Sequence, residues 1–509
     1  MENRLCKCYC ATCIGLEVVK VTVEVSVTDG VGLFIVGLPD NAVREALLRV
    51  TTAMQRNGYR IPGRRIVINM APANIRKAGS GYDAAIAIGL LAASGQIRED
   101  GIEDCLIVGE LSLDGRLRRI PGILAMAVRA RGMGFSRIVV PAESMTEASW
   151  VHDLTVTGVE NLKEAASAVS DSGFIGCSGP AVQQPREDNR SYEFDFKDVR
   201  GQEFARRGME IAASGSHNVL LVGPPGSGKS MLSKCLPSVL PPMTREESLE
   251  TSMIYSVAGM LDGSTGLVSV RPFRSPHHSA SMVSMIGGGA KAMPGEISLA
   301  HNGVLCLDEI AHFRSEALEV LRQPLEDHRI TISRAGYKVD YPASFMLVAS
   351  MNPCPCGYAG DGTGRCTCAP GMISRYTSRV SGPLLDRIDL RISVRISDMS
   401  EVDIAAESES SAVMAERVAA AREIQSRRFA GTGILCNSGM PNSMVAQYCV
   451  PDSRAMQLLE KISGRYCLSA RGYFRLLKVA RTIADMEASE HIKTEHISEA
   501  VQYRFPENV

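Results

Sequence analysis

The chain has 509 residues, a formal net charge of −1 and 45% hydrophobic residues. That length exceeds one hydrophobic core and predicts about three domains. The near-zero charge excludes a global basic field, so any nucleic-acid contact must rest on local patches. Fifteen cysteines without an export signal read as thiols or metal ligands rather than disulfides. The apolar run at 84–93 is too short to cross a bilayer, and the expected home is the cytoplasm.

Residues 1–170 read as a first α/β unit. Dense β-branching makes 18–27 a strand. Residues 39–57 form a helix capped by Asp40 or Asn41, with Val43, Leu47, Val50 and Met54 on one face. Strands are expected at 65–70, 105–108 and 137–140, and helices at 83–93 and 125–131. Cys6, Cys8 and Cys10 alternate, so on a strand they share a face as small buried thiols; with Cys13 they also permit a metal reading. Residues 171–194, rich in Gly, Ser, Pro and Gln, have linker composition.

The next unit, 195–397, is built around Gly223-Pro224-Pro225-Gly226-Ser227-Gly228-Lys229-Ser230. An apolar strand, 218–222, precedes this stretch, and a helix from Lys229 through Leu236 follows until Pro237 ends it. Strand, glycine-rich turn and helix N-terminus are the setting of a Walker A motif. Turn amides surround a phosphate, Lys229 reaches the terminal phosphates, and the Ser230 hydroxyl holds Mg²⁺. The chain is therefore expected to bind a nucleoside triphosphate. A second buried strand, Val304-Leu305-Cys306-Leu307, ends in Asp308-Glu309, at the edge where parallel sheets collect ligands. Asp308 is expected to hold Mg²⁺, and Glu309 to polarise the attacking water as general base. A third, 345–350, leads into Met351-Asn352, where Asn352 fits a sensor of the lytic water or a turn-forming Asn-Pro.

Cys354-Pro355-Cys356 and Cys366-Thr367-Cys368 are two close thiol pairs. They supply a tetrahedral, structural Zn²⁺ site or remain free thiols in a tight loop. His277 and His278 stand beside prolines and are expected to be loop hydrogen-bonders rather than metal ligands. Residues 329–343 alternate around Ala335-Gly336-Tyr337 as a β-hairpin. Arg329, Arg334, Lys338 and Lys291 permit phosphate contacts. From 398 the chain is helical, with an acidic connector at 401–411 and a helix with solvated charges at 412–429. A further helix, 469–486, has Leu476, Val479 and Ile483 on its apolar stripe, and its Arg475, Lys478 and Arg481 read as surface charges.

Several stretches carry resemblances. Gly109-Glu110-Leu111-Ser112-Leu113-Asp114-Gly115, Ile120-Pro121-Gly122-Ile123 and Ile138-Val139-Val140-Pro141 resemble the proteolytic domain of the Lon family, whose nucleophilic serine is activated by a lysine. In Lys77-Ala78-Gly79-Ser80-Gly81-Tyr82-Asp83 the serine position falls on Gly81, one residue from Ser80, and the lysine position falls on Met126. Without a lysine base a serine hydroxyl is a poor nucleophile. The resemblance implies a Lon-like fold without peptidase chemistry, serving as scaffold or substrate guide.

The motor unit resembles AAA+ ATPases. That likeness implies that Val199, Gly201 and Gln202 pack on the adenine. It also makes Arg387, in Asp386-Arg387-Ile388-Asp389, a finger to the neighbouring subunit's nucleotide, with Arg379 in reserve; the alternative is an Arg–Asp pair with Asp386 or Asp389. Arg471 resembles the second-sensor arginine that lids present to the γ-phosphate. Residues 271–300 and the 329–343 hairpin resemble the helix-two insert and pre-sensor hairpin of the clade of magnesium-chelatase motors and MCM helicases, where they point into a ring pore.

The whole chain, with Ile35-Val36-Gly37-Leu38-Pro39-Asp40, residues 294–303 and Val479-Ala480-Arg481-Thr482-Ile483-Ala484-Asp485, resembles the YifB/ComM family of Mg-chelatase-like ATPases. This implies an α/β architecture of Lon-like domain (1–170), AAA+ domain (195–397) and helical lid (398–509). It further implies ATP and Mg²⁺ as cofactors, and a homo-hexamer on branched or single-stranded DNA, with no membrane contact. The implied activity is a branch-migration motor for homologous recombination and natural transformation. The rival readings are a chelatase-type protein remodeller and an ATP-dependent protease.

Overall fold

The computed structural model describes residues 4–170, 192–261, 266–289, 292–334, 337–396 and 408–505. The expected linker at 171–194 lies outside the described residues except at its C-terminal end, as do Lys291, the hairpin tip Ala335-Gly336 and most of the 401–411 connector.

The N-terminal unit is a mixed seven-stranded sheet in the order Gly32–Val36, Arg65–Ala71, Glu17–Thr28, Arg4–Ile14, Cys105–Ile107, Arg137–Pro141, Thr155–Val159. Its two longest strands, Arg4–Ile14 and Glu17–Thr28, run antiparallel and turn at Gly15, whose φ of +63° suits glycine. Alternation places Cys6, Cys8 and Cys10 with Val21, Val23 and Val25 on the buried side. Burial pushes the Cys10 thiol up to about 12, so it behaves as packing rather than as a ligand. The helix Asp83–Ala93 is buried along its whole length and packs on this pair of strands. Asp40 caps the Asn41–Arg56 helix, its carboxylate accepting the Val43 amide at 2.8 Å.

The second sheet has five strands in the order Phe273–Arg274, Val304–Leu307, Met346–Met351, Val219–Val222, Leu390–Ser393, all parallel. Val304–Leu307, Met346–Met351 and Val219–Val222 are buried throughout, as a sheet covered on both faces requires. Val219 lies opposite Val348 on one side and Leu390 on the other. Val222 in turn lies opposite Met351 and Ser393, so these three strands end level and the loops leaving their C-terminal ends converge on one edge. The expected hairpin is present as Arg329–Arg334 paired with Tyr337–Pro342. Ile330, Ile332, Val339 and Tyr341 turn inward, while Arg329 and Lys338 are exposed.

The C-terminal region is helical: Ser411–Arg428, Ser453–Tyr466, Ala470–Met486 and Thr494–Arg504. Ser469 caps the third, accepting the Gly472 amide at 3.1 Å, and Leu476, Val479 and Ile483 enter one apolar cluster with Ile211 and Val219 of the sheet unit. The expectation that Arg475, Lys478 and Arg481 are surface charges is incorrect. Arg481 is 2% exposed and paired with Asp485 at 3.0 Å, Lys478 donates to the Ser438 carbonyl at 3.0 Å, and Arg475 binds Asp389. Helical periodicity identified the apolar stripe but not the polar contacts at its margin, which depend on what the helix packs against.

The N-terminal unit is joined to the parallel-sheet unit by specific polar bonds. The Gly122 amide donates to the Ser256 carbonyl at 2.9 Å, and Arg119 pairs with the buried Glu147 at 2.8 Å while Glu147 also accepts from the Ser256 hydroxyl. Leu124 closes the seam against Leu261 and Leu267. At a second contact the Gly15 turn lies on the hairpin: a Cβ at Gly15 would stand 2.0 Å from Val339 Cγ1.

Candidate nucleotide site

The strand Val219–Val222 delivers the chain to Gly223, whose Cα faces the Val394 carbonyl so closely that a Cβ would lie 2.1 Å from that oxygen. The loop then turns through Gly226 (φ +77°) and Gly228 (φ +90°), with open space over both Cα atoms, and enters the helix Lys229–Cys235. A short turn containing Pro237 follows, so the helix stops one residue earlier than expected.

Lys229 is 9% exposed, and its ammonium donates to the Gly223 and Pro224 carbonyls at 2.8 Å each and to Asn352 Oδ1 at 3.2 Å. Burial lowers its pKa, with Asp308 and Glu309 opposing that shift. Ser230 donates to Asp308 Oδ2 at 2.8 Å. Lys229, Ser230, Asp308 and Asn352 thus meet at the C-terminal edge of the sheet, and Asn352 contacts Lys229 directly.

The loop fits a phosphate chain on its own geometry. Ser227 Oγ is buried without a hydrogen-bond partner among the described residues, and the Gly226 and Gly228 Cα atoms stand open at a helix N-terminus. The Ser230–Asp308 oxygen pair is the donor type that Mg²⁺ takes. Val199 is buried, Gly201 and Gln202 both have positive φ, and Gln202 donates to the Arg395 carbonyl. Arg395 follows Val394, which meets Gly223, so Gln202 reaches the segment that borders the loop.

Glu309 has φ +53°, a conformation rare for a side-chain-bearing residue. Its amide donates to Ser350 Oγ at 3.1 Å, and Ser350 in turn donates to Asp308. Ser350 therefore fixes both acids at once. The sequence reading treated it only as a strand residue; the available signal was a hydroxyl at the end of an otherwise apolar strand, two residues before Asn352.

Arg387 and Arg471 are placed elsewhere. The Arg387 carbonyl accepts from Asn218 Nδ2 at 3.1 Å, immediately before Val219, so Arg387 stands at the N-terminal edge of the sheet. It pairs with Glu326, not with Asp386 or Asp389, and is 7% exposed. Arg471 binds the other oxygen of Glu326 at 2.6 Å. Both arginines lie away from their own chain's Lys229, and Arg471 does not present itself to that site. Glu326, Arg471 and Arg475 line a cleft of about 660 Å³ between the sheet and the helical region. Glu326 was not foreseen, because nothing in local sequence marks an acid that two distant arginines share. Asp389 is instead held by Arg475 and by the Asn218 amide at 3.0 Å. Burial alone would raise its pKa; the Arg475 charge and His217 outweigh burial and hold the carboxyl far below its usual range. Arg379 donates to the Ala311 carbonyl at 3.4 Å, beside the Glu309 turn.

Cys354, Cys356, Cys366 and Cys368 come together, their sulfurs all within 4.8 Å of one another. The His277 and His278 rings lie 4.0 Å apart, tilted by 37°, and His277 Nδ1 bonds Ser279 Oγ at 2.8 Å, the loop role expected of His277. In the N-terminal unit Ser80, Gly81 and Met126 line one cavity of about 490 Å³, in which no lysine is found among the described residues. Ser80 donates to the Glu110 carboxylate, and Lys77 is buried with its ammonium on the Pro72 carbonyl.

Comparison with known proteins follows this layout. The family model described as magnesium chelatase, subunit ChlI, matches residues 195–402; those for subunit ChlI of Mg-chelatase and for its C-terminal part match 23–144 and 408–504. The chain is 41% identical to the uncharacterized protein YifB of Salmonella typhimurium over 493 residues, covering 96% of this chain and 95% of that one. It is 38% identical to the competence protein ComM of Haemophilus influenzae, covering 97% and 96%. A shorter match, 25% identity covering 36% of this chain and 17% of the other, is to the DNA replication licensing factor mcm6 of Dictyostelium discoideum. With its mixed α/β start, Mg-chelatase AAA+-type parallel sheet and helical C-terminal region, the chain belongs to the YifB/ComM family of Mg-chelatase-like proteins.

Proposed function

We propose that the protein is an ATP-hydrolysing ring motor acting on DNA, with each ATP held between two subunits. One observation carries the reading. The Walker residues meet at one edge of the parallel sheet, while the two arginines suited to transition-state charge, Arg387 and Arg471, stand together at the other. In a head-to-tail ring one subunit's arginine edge faces the next subunit's nucleotide edge.

When bound, Mg²⁺·ATP supplies the phosphoanhydride whose hydrolysis drives the cycle. Lys229 leaves the loop carbonyls for the terminal phosphates, and Ser230 and Asp308 hold Mg²⁺. Asn352 orients water, Glu309 takes its proton, and Arg387 with Arg471 of the adjacent subunit neutralises charge on the transferred group. Val199, Gly201 and Gln202 flank the adenine. The division into 1–170, 195–397 and 398–509 assigns these tasks to a guiding domain, a motor and a lid, and the four-thiol loop is the Zn²⁺ site argued below.

The DNA substrate is supported by the names of two relatives, a competence protein and a DNA replication licensing factor, and by exposed Arg329 and Lys338 on the hairpin. We place the motor in the cytoplasm, as a homo-hexamer performing branch migration in recombination and transformation. Among the described residues no helix is long and apolar enough to cross a membrane. The peptidase reading is disfavoured by Ser80, whose hydroxyl is engaged by a carboxylate rather than a lysine.

The test is ATP turnover with forked or four-way DNA, with unfolded casein and with neither, alongside strand exchange on the same junctions. Turnover and branch movement stimulated by junction DNA, weakened steeply by salt, are the expected result. Stimulation by casein with cleavage, or indifference to DNA, contradicts the proposal.

A further inference from the structure

The loop between Asn352 and the helix Pro370–Thr377 has little to hold its shape. Residues 353–369 include Gly357, Gly360, Gly362 and Gly364, all at positive φ, and few large apolar side chains. Such a segment loses much conformational entropy on ordering and gains little burial in return. At its base are the four cysteines. Cys354 Sγ lies 3.3 Å from Cys356 Sγ and 3.8 Å from Cys366 Sγ, and Cys356 and Cys366 are 3.6 Å apart. These separations are far too long for disulfides, whose sulfurs stand about 2.05 Å apart. Four thiolates at about 2.3 Å from one tetrahedral ion have sulfurs about 3.8 Å apart; the three separations above run from 3.3 to 3.8 Å, and Cys368 Sγ lies within 4.8 Å of the other three. An iron–sulfur cluster, with several metal and sulfide atoms between its ligands, holds its cysteines further apart. The Ala359 amide points at Cys354 Sγ at 3.3 Å, the kind of N–H···S bond that steadies a ligating sulfur.

The same loop touches the nucleotide site. Gly357 lies so close to the Walker loop that a Cβ there would stand 2.6 Å from Pro225 Cδ. Asn352, two residues before Cys354, accepts the Lys229 ammonium. We propose that Cys354, Cys356, Cys366 and Cys368 bind one Zn²⁺, and that this ion is a staple that positions Asn352 and braces the Walker loop. The metal touches neither water nor phosphate; it acts through the loop it folds. The positioning half rests on the nucleotide site described above, whereas the metal half stands on sulfur geometry alone.

The test begins with elemental analysis of full-length protein purified without a metal-affinity tag. One zinc per chain is expected, and replacement by Co²⁺ should give thiolate charge-transfer and tetrahedral d–d absorption. A wild-type chain that neither retains zinc nor takes up Zn²⁺ after full reduction overturns the proposal, and iron in its place overturns the choice of ion. Cys366→Ser/Cys368→Ser should lose the metal and reduce kcat for ATP by about 10- to 100-fold, with less than about a threefold change in affinity for a fluorescent ATP analogue.

To separate loss of metal from loss of folding in the double variant, the wild type is also stripped with a mercurial, the released metal being read by a chromogenic chelator, and then reduced and reloaded with Zn²⁺. Amide exchange over 223–230 and 351–358 should quicken on stripping and slow on reloading, a readout independent of turnover. Zinc that leaves with no effect on exchange or kcat refutes the staple. A zinc-loaded, exchange-protected chain that never turns over ATP contradicts the motor instead.

Discussion

Removing one hydroxyl, Ser350→Ala, isolates the part of the site that joins its two acids. The Ser350 hydroxyl bonds the Glu309 amide and Asp308 rather than Lys229 or Ser230, so triphosphate affinity should hold while kcat falls by about tenfold, as for other residues that orient a reacting group from behind. Steady-state ATPase with a separate binding titration measures the split; a rise in Kd with unchanged kcat goes against the role. Lys229→Ala should by contrast abolish binding or turnover. Arg475→Ala leaves Asp389 buried and short of its charge partner, and a broken buried pair costs about 3 kcal/mol, read by urea unfolding. The depressed pKa of Asp389 gives this stability a definite pH window. It is fully present above the unfolded-state value of about 3.9 and is lost as pH falls from there towards the folded value. Acid titration of the melting temperature should therefore show a wild-type contribution lost below pH of about 4 that is largely missing in Arg475→Ala.

At the scale of elements, the Gly15 turn is the contact that ties the N-terminal sheet to the hairpin. Gly15→Val combines a left-handed φ of +63° with a Cβ 2.0 Å from Val339, so a loss of about 2 kcal/mol is expected. Limited proteolysis should then cut the hairpin faster in the variant; unchanged proteolysis and melting would mean that the two elements do not bear on each other. The elements themselves were legible because each carried its own local signal. Asp83–Ala93 is one apolar block with the bounds expected, Asp40 is a cap, and the residues on either side of the Walker loop form the expected strand and helix. The strands Gly32–Val36 and Thr155–Val159 were not anticipated, since short sheet-edge segments depend on neighbours for their strand character.

The same distinction holds for the site. Lys229, Ser230, Asp308 and Asn352 sit at positions fixed by strand ends, and sequence pattern was enough to bring them together. Glu326 lies 61 residues from Arg387 and 145 from Arg471, and only the tertiary fold makes one carboxylate their common partner. Glu326→Gln removes the charge that restrains both arginines but keeps the shape. If Glu326 holds them in waiting, the variant's ATPase without DNA should rise several-fold; if Glu326 aims them, kcat should fall with and without DNA alike.

For the whole molecule, the central claim is that one chain's ATP is broken down with another chain's arginines, and mixing two dead variants tests it most directly. Lys229→Ala has intact arginines and no phosphate-binding lysine; Arg387→Ala has the reverse. Each alone should be inactive, while an equal mixture assembled together should recover about a quarter of wild-type ATPase per chain, the fraction of interfaces with both halves intact in a head-to-tail ring. Mixtures that stay inactive although the chains co-assemble, or Arg387→Ala that hydrolyses ATP normally by itself, would contradict the account.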